Sequence, residues 1–515
     1  MLASFRLTVV SILLVLCGSA SADIVVNATT DEDTNNSSCS LREAIIAVNT
    51  QADYHGCADP GSTWSKVTFA IPPNAGEQHL FGLSNPLPAI TKPVFIDATT
   101  QSGTTCTPVP NLRVRLANVG SVGVGLKLDS GSTGSKIRGL AFTGFSSGGG
   151  AGIWINSDLA SIGCVISGMD ATGSVARPNS FGIYVSAKYA TIGEATATAW
   201  FPNILSANSF SNVQVAFGAD NALIAGNYLG VDKTGLAPLK SGFGIQIIAA
   251  GTNVGVGFSD GPPAHQRNII GVTQNGLNTA SNEIDLEGAS DTVISGNYIG
   301  VGVDGHTVLP IVSGSGISIS GSANTLIGCN GKGSWDDCRN VIVLPDGAST
   351  GVGVANGSSG TAIVSNFFNV AANGVTSLAS SSNNVDGIDF SDDTLVARNV
   401  ISTKGSNIFV LPPNDASPTA VFLNATAAGT GGAVLDSSDN CIMDTDAYRG
   451  VSIFTYGTAT ATPTTFENNW WGAINGPQPT GSGAYADAAV DAAPFLTAPS
   501  PYCRFDRIFT DGFEG

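Results

Sequence analysis

Charge is scarce in this sequence. Of its 515 residues only 12% are charged, with 21 Lys and Arg against 39 Asp and Glu, a formal net charge of −18. A chain so acidic and so short of cations lacks the basic stripes that neutralise phosphate, which excludes nucleic acid and anionic membrane surfaces as partners. Histidine is rarer still. His55, His79, His265 and His306 are scattered, and the nine cysteines form no Cys-x-x-Cys pair, so no metal-ligand spacing is legible. Beyond residue 22 no apolar run approaches the roughly twenty residues that a membrane-spanning helix needs. Phosphate-cradling loops ahead of a helix are missing too, as is any nucleophile elbow with a matching histidine.

What is present begins with an export signal. Arg6 supplies a positive start, Leu7 to Leu16 an apolar core, and Ala20-Ser21-Ala22 a small-residue cleavage site, so residues 1–22 read as a signal peptide. The apolar core is too short for an anchor, and Leu16 is bulky where lipoprotein signals resemble one another in having a small residue before the acylated cysteine. Losing Cys17 with the signal leaves an even number of cysteines, suited to an oxidising compartment. Cys329 and Cys338 bracket a short loop and form the first expected disulfide. Cys39 with Cys57, and Cys441 with Cys503, pair only by proximity in the sequence.

Glycine is abundant, 64 residues, and it falls in a pattern. NALIAGNYLGVDKTGLAPLKSGFGIQI, from Asn221, returns from Asp291 as DTVISGNYIGVGVDGHTVLPIVSGSGISI, so that Asn227 maps onto Asn297 and Gly244 onto Gly316. The phrase Gly-Ile-x-hydrophobic recurs at Gly152, Gly182, Gly244, Gly316 and Gly387. A second echo reads PNIL, RNII and RNVI at 202–205, 267–270 and 339–342. Short Ile/Val runs alternate with Gly, Asn and Asp, the residues of tight turns. Self-similarity of this kind marks a solenoid, and the texture makes it an all-β one, a parallel β-helix. At roughly twenty to twenty-five residues per coil, a unit of about seventy residues would hold three coils. KVTFAI, PVFIDA, LRVRLAN, GLKLDS and KIRGLAFTGF then read as successive early coils, and Asn208, Asn227, Asn297 and Asn366 as turn residues able to stack as ladders.

Residues 23–66 read as an N-terminal cap. Ser40 followed by Glu43 is a capping box, and Leu41, Ala44, Ile45 and Val48 fall on one face of the short helix it opens. Such a helix covers the apolar end that a solenoid otherwise exposes. Cys39-Ser40-Leu41-Arg42-Glu43-Ala44-Ile45 resembles the CSLREA motif at the mature N-terminus of many exported bacterial proteins. GNYLGVDKTG at 226–235 and GNYIGVGVDG at 296–305 resemble the repeats of those proteins, and Asn468-Asn469-Trp470-Trp471-Gly472 with Gly476-Pro477 is similar to a segment that ends them. The resemblance implies a right-handed parallel β-helix over residues 67–475 and a secreted or cell-surface location. It brings no shared catalytic constellation. Residues 476–515 form a Pro/Ala/Gly-rich closing segment, and its IFTDGFE ending looks like a tail of exported proteobacterial proteins.

Parallel β-helices often act on polysaccharides, but fold does not fix function. Polygalacturonase-like hydrolysis pairs two carboxylates with a Gly-His-Gly and an Arg-x-Lys, and no histidine here is flanked by glycines. Pectate-lyase-like elimination needs Ca²⁺ held by several carboxylates, with a base. The best local candidate is VDGIDFSDD, with Asp386, Asp389, Asp392 and Asp393 near Arg398 and Lys404; Ser334-Trp335-Asp336-Asp337 is the other. Neither stands out from ordinary repeat and turn residues. The expectation is therefore a non-catalytic scaffold with a structural, adhesive or carbohydrate-binding role and no required cofactor, its partners extracellular polysaccharide or cell-surface components. The alternative is a lyase or glycoside hydrolase of an acidic polysaccharide, for which Ca²⁺ is the one cofactor to consider.

Overall fold

The computed structural model describes residues 23–503 apart from 60, 74–77, 171–172, 174, 196–199, 249–253, 258–266, 274–281, 310–313, 330–337, 344–349, 356–357, 375, 379–382, 385, 391–393, 402–405, 408–420, 426–437, 443–449, 456–463, 487, 489 and 501–502. Three twelve-stranded sheets run side by side along the molecule, and every pairing within them is parallel between successive turns of the chain. The chain visits the three sheets in rotation, as in Leu223–Ile224, Tyr228–Leu229 and Phe243–Ile248, then starts again at Gly255–Gly257. This is a parallel β-helix. Its first rung is Ile24–Val26, paired with Ser65–Phe69, and its last is Tyr485–Ala486, so the sheets begin and end outside the 67–475 expected from sequence.

Each sheet sends one file of aliphatic side chains inward. Ile192, Ile224, Val256 and Ile294 stack in consecutive coils of the first sheet, Leu229, Ile270 and Ile299 in the second, and Val213, Ile245, Ile284 and Ile317 in the third. All are at most 1% exposed. Burying such a side chain contributes about 1.5–3 kcal/mol, so the interior files hold the stack together. Gly152, Gly182, Gly244 and Gly316 precede inward residues of the third sheet. An added Cβ there would collide with the carbonyl oxygen of Gly182, Asn212, Glu283 and Gly351 respectively, in the next coil. Close coil stacking, rather than a turn, is what requires the recurring glycine.

Three coils per unit is incorrect. Tyr228 pairs with Ile269 and Ile269 with Tyr298, so Asn227 and Asn297 stand two coils apart. Of the fragments taken as successive early coils, KVTFAI, PVFIDA and KIRG do follow one another in the first sheet, whereas PVFIDA, LRVRLAN and GLKLDS are sides of one coil: Val94–Asp97, Val114–Asn118 and Val124–Leu128 lie on three different sheets. Coils are longer than expected because the corners carry excursions. Residues 231–238 and 301–308 are closed by antiparallel bridges at the corner between second and third sheets. In the coils between, the connection from first to second sheet is lengthened, to eleven residues between Gly255–Gly257 and Ile269–Ile270 against three between Leu223–Ile224 and Tyr228–Leu229. Two alternating coil types make the period.

The same alternation hides an asparagine ladder. Asn203, Asn227, Asn268, Asn297, Asn340, Asn366, Asn399, Asn440 and Asn469 are fully buried at one corner, each Nδ2 donating to the next Oδ1 at 2.9–3.1 Å. The GNY and RNI phrases, separate echoes in sequence, are alternate rungs of this one column. Asn208 belongs to a second, shorter column with Asn179 and Asn212.

Leu41–Thr50 is an α-helix with both halves of its capping box formed. Leu41, Ala44, Ile45 and Val48 are at most 2% exposed and join Ile24, Val26 and Val67 in the core, as the amphipathic pattern predicts. Four disulfides join Cys39–Cys57, Cys106–Cys164, Cys329–Cys338 and Cys441–Cys503, with Cα separations of 4.8, 5.3, 5.0 and 5.7 Å. Among the described residues no helix is long and apolar enough to cross a membrane.

Candidate functional site

Strands expose every second residue, so parallel pairing lines up outward side chains coil after coil. On the third sheet one outward file reads Lys127, Trp154, Tyr184, Gln214, Gln246, Asp285 and Ser318. Its first half is aromatic. Lys127 Nζ lies 5.0 Å from the Trp154 ring, Trp154 and Tyr184 meet edge to face at 5.5 Å, and Phe181 and Phe210 continue the strip.

Its second half is acidic and amidic. Asp285 and Glu287 sit two residues apart on Ile284–Glu287, hence on the same face with Cα atoms about 6.6 Å apart. Asp285 is 5% exposed; its Oδ1 accepts from Asn282 Nδ2 at 2.8 Å and its Oδ2 from Gln246 Nε2 at 3.3 Å. Glu287 is exposed, beside Ser320 of the following coil. Burial, the Asp285 charge and a hydrogen bond to Asp285 all push the Glu287 carboxyl above its usual 4.5. The Oε1 atoms of Gln214 and Gln246 are buried without a hydrogen-bond partner. One carboxyl raised above its usual value beside a second, hydrogen-bonded carboxyl is the arrangement from which acid–base cleavage of a glycosidic bond can be built.

One residue pair deeper, Glu283 is fully buried and neither carboxyl oxygen has a partner, so burial holds its carboxyl well above the ordinary range. It occupies the position that is glycine in the two neighbouring coils, Gly244 and Gly316. Near the N-terminal end, two adjoining grooves of about 440 and 480 Å³ share Ile71, Pro72 and His79. His79 is 6% exposed and its Nε2 meets Gln101 Nε2 at 3.2 Å, while burial and then Arg113 hold its imidazole below 6.5.

The sequence-derived candidates fare differently. Asp386 and Asp389 lie on Asp386–Phe390, which pairs Thr350 with Asp386 and Gly353 with Asp389. Asp389 therefore holds the same register position on its strand as Asp285 and Ser318 on theirs. Asp392, Asp393 and Lys404 lie outside the described residues, as do Ser334, Trp335, Asp336 and Asp337; Arg398 is half-buried at a positive-φ corner. Asp285 and Glu287 went unnoticed because EIDLE carries no Gly-Ile phrase. Only the pairing between coils puts it in line with the motif-bearing strands. Likewise His55, read as one of four scattered histidines, stands with Asp33 and Glu43.

No family model matches the sequence, and no curated protein matches it. Solved structures do resemble it in fold. A PL6 family alginate lyase, AlyGC, is 12% identical with a TM-score of 0.44, over 87% of this chain and 51% of that one, so this chain spans about half the lyase's length. The A-module of the Azotobacter vinelandii mannuronan C-5 epimerase AlgE6 is 12% identical with a TM-score of 0.40, over 83% and 98% of the two chains. A DFA-IIIase from Arthrobacter chlorophenolicus A6 is 14% identical with a TM-score of 0.35, over 89% and 92%. These figures mark a shared architecture, and neither substrate nor reaction is carried over by them. The expectation of a non-catalytic scaffold is corrected to this extent: the solved structures that share the architecture are named as polysaccharide lyases, an epimerase and glycoside hydrolases, so the fold gives no ground for ranking the enzyme alternative second.

Proposed function

We propose that this chain is an exported enzyme that cleaves an extracellular polysaccharide, with Asp285 and Glu287 as its carboxyl pair. The observation that carries the reading is the raised Glu287 carboxyl beside Asp285, on the outward face of a long sheet. Glu287 is exposed and reaches substrate. As general acid it gives its proton to the glycosidic oxygen while the bond to the sugar carbon breaks. Asp285, held by Asn282 and Gln246, faces the positive charge that develops on the ring; water adds its hydroxyl to the sugar carbon and its remaining proton returns to Glu287. Trp154 and Tyr184, coils away along the same file, offer apolar ring faces with polar tips, which suit sugar rings of a chain laid along the helix axis. The leader at 1–22, the CSLREA resemblance and the disulfides support a place outside the cell.

The test is turnover. Purified protein is incubated with acidic and neutral polysaccharides, with and without Ca²⁺, and new reducing or unsaturated ends are counted. New ends that fall at least about a hundredfold in Glu287→Gln, with an unchanged circular dichroism spectrum, support the reading. Turnover indifferent to Glu287→Gln and Asp285→Asn, or none on any glycan, would remove it.

A further inference from the structure

The N-terminal cap gathers donors that the proposed chemistry does not use. The acidic turn of Asp31, Glu32 and Asp33 folds against the capping helix, and the loop carrying His55 closes over both. His55 Nδ1 lies 3.1 Å from Glu43 Oε1 and 3.5 Å from Asp33 Oδ1, and ligand atoms of all three residues fall within 4.8 Å of one another. We propose that Asp33, Glu43 and His55 bind one divalent cation of the zinc class.

The donor set is one imidazole nitrogen and two carboxylates, which suits zinc and its first-row neighbours better than calcium. A tetrahedral ion with bonds of about 2.0–2.2 Å has ligand-to-ligand edges of about 3.3–3.6 Å. The 3.5 Å contact of His55 falls within that range and the 3.1 Å contact just below it, so small rotations of Asp33 and His55 complete the triad. Glu43 is held ready. Its side chain is buried, Oε1 accepts from the Thr34 N–H and Oε2 from the Ser40 N–H, both at 2.9 Å.

The charge at this point is also unbalanced. Arg42 is committed to Asp31, with Nε and Nη2 each 2.8 Å from a carboxylate oxygen, and so leaves Asp33 and Glu43 to be matched by something else. The loop is fixed by the Cys39–Cys57 disulfide and by Gly56, where any Cβ would strike the Ser38 carbonyl. Tyr54 Oη donates to Asp33 Oδ1 at 2.9 Å, an outer contact of the kind that orients a ligating carboxylate. Asp33 is 47% exposed at its side chain, leaving one face open for water as a fourth ligand.

The experiment titrates Zn²⁺ into the EDTA-dialysed full-length mature protein at pH 7.5 by calorimetry, and follows the melting temperature. One equivalent is expected, with a rise in melting temperature. Asp33→Asn and His55→Ala, both off the helix, should each weaken binding at least tenfold with an unchanged circular dichroism spectrum. Glu43→Gln removes a ligand and half the cap together, so Ser40→Ala serves beside it: it loosens the cap and should still bind Zn²⁺. No binding, which would leave an ion-paired histidine only, overturns the proposal. So does binding that survives both Asp33→Asn and His55→Ala. Polysaccharide turnover does not enter this readout, so either proposal can fail alone.

Discussion

Replacing Asn297 by alanine removes a rung from the middle of the corner column. Its Nδ2 donates to Asn340 Oδ1 at 3.1 Å, to the Val256 carbonyl at 2.9 Å and to the Ser295 carbonyl at 3.2 Å, and its Oδ1 accepts from Asn268 Nδ2 at 2.9 Å. All of this is out of reach of water, since Asn297, Asn268 and Asn340 are fully buried. A hydrogen bond contributes about 0.5–1.5 kcal/mol net, and a buried group left without its partner costs about 1–3 kcal/mol. Asn268 Nδ2 keeps the Ile224 carbonyl and Asn340 Oδ1 keeps the Asn297 N–H, so the neighbours are not wholly orphaned. The expected loss is about 2–4 kcal/mol. A long stack need not unfold in one step, so a global melting point would blur the effect. Native-state hydrogen exchange at the Tyr298 and Val341 amides, which donate to the Asn268 and Asn297 carbonyls, reads it locally. Protection there should fall by roughly 30- to 700-fold, at about 1.4 kcal/mol per factor of ten. Protection unchanged within a factor of three would refute the reasoning, because the column would then be a by-product of coil stacking.

Three further outcomes follow from the buried acid, the carboxyl pair and the disulfides. Glu283 carries a raised carboxyl, so the folded state keeps its proton longer than the unfolded chain does, and ionisation opposes folding as pH climbs past about 4.5. Glu283→Gln should therefore leave stability at pH 4 nearly unchanged and raise the melting temperature at pH 7; equal shifts at both pH values would count against a buried protonated acid. At the proposed site, Asp285→Asn removes the charge and the hydrogen bond that help burial raise the Glu287 carboxyl, so the alkaline limb of turnover should move to lower pH. An unmoved limb would mean another group sets it. Among the disulfides, Cys106–Cys164 closes 58 residues and Cys329–Cys338 only 9. In the chain-entropy account the longer loop should cost about 1.7 kcal/mol more to open, measured by urea unfolding of the paired serine variants, and equal costs would contradict it.

Local rules, and rules periodic along the chain, were legible from sequence. The capping box of Ser40 and Glu43 and the inward face of its helix depend on residues three or four apart, and both are present as read. The Gly-Ile phrases marked strands of one sheet, because glycine recurs at the same place there, in successive coils at Gly152 and Gly182 and in alternate coils at Gly182, Gly244 and Gly316. The number of coils was not legible. Corner excursions lengthen each coil without leaving a strand pattern, so a period of two long coils looks like one of three short ones.

The sequence by itself determined that the chain would wind as stacked β coils with a capped first turn, since those features rest on spacing and turn chemistry. Only the tertiary structure decided which distant residues share a face. Asp285 meets Gln246 because each coil shifts the chain by one strand spacing, and the length of a coil depends on excursions that no short-range pattern encodes. His55 meets Asp33 and Glu43 because the Cys39–Cys57 disulfide and the Ser38–Gly56 contact fold one loop onto another. Neither meeting follows from the order of residues along the chain.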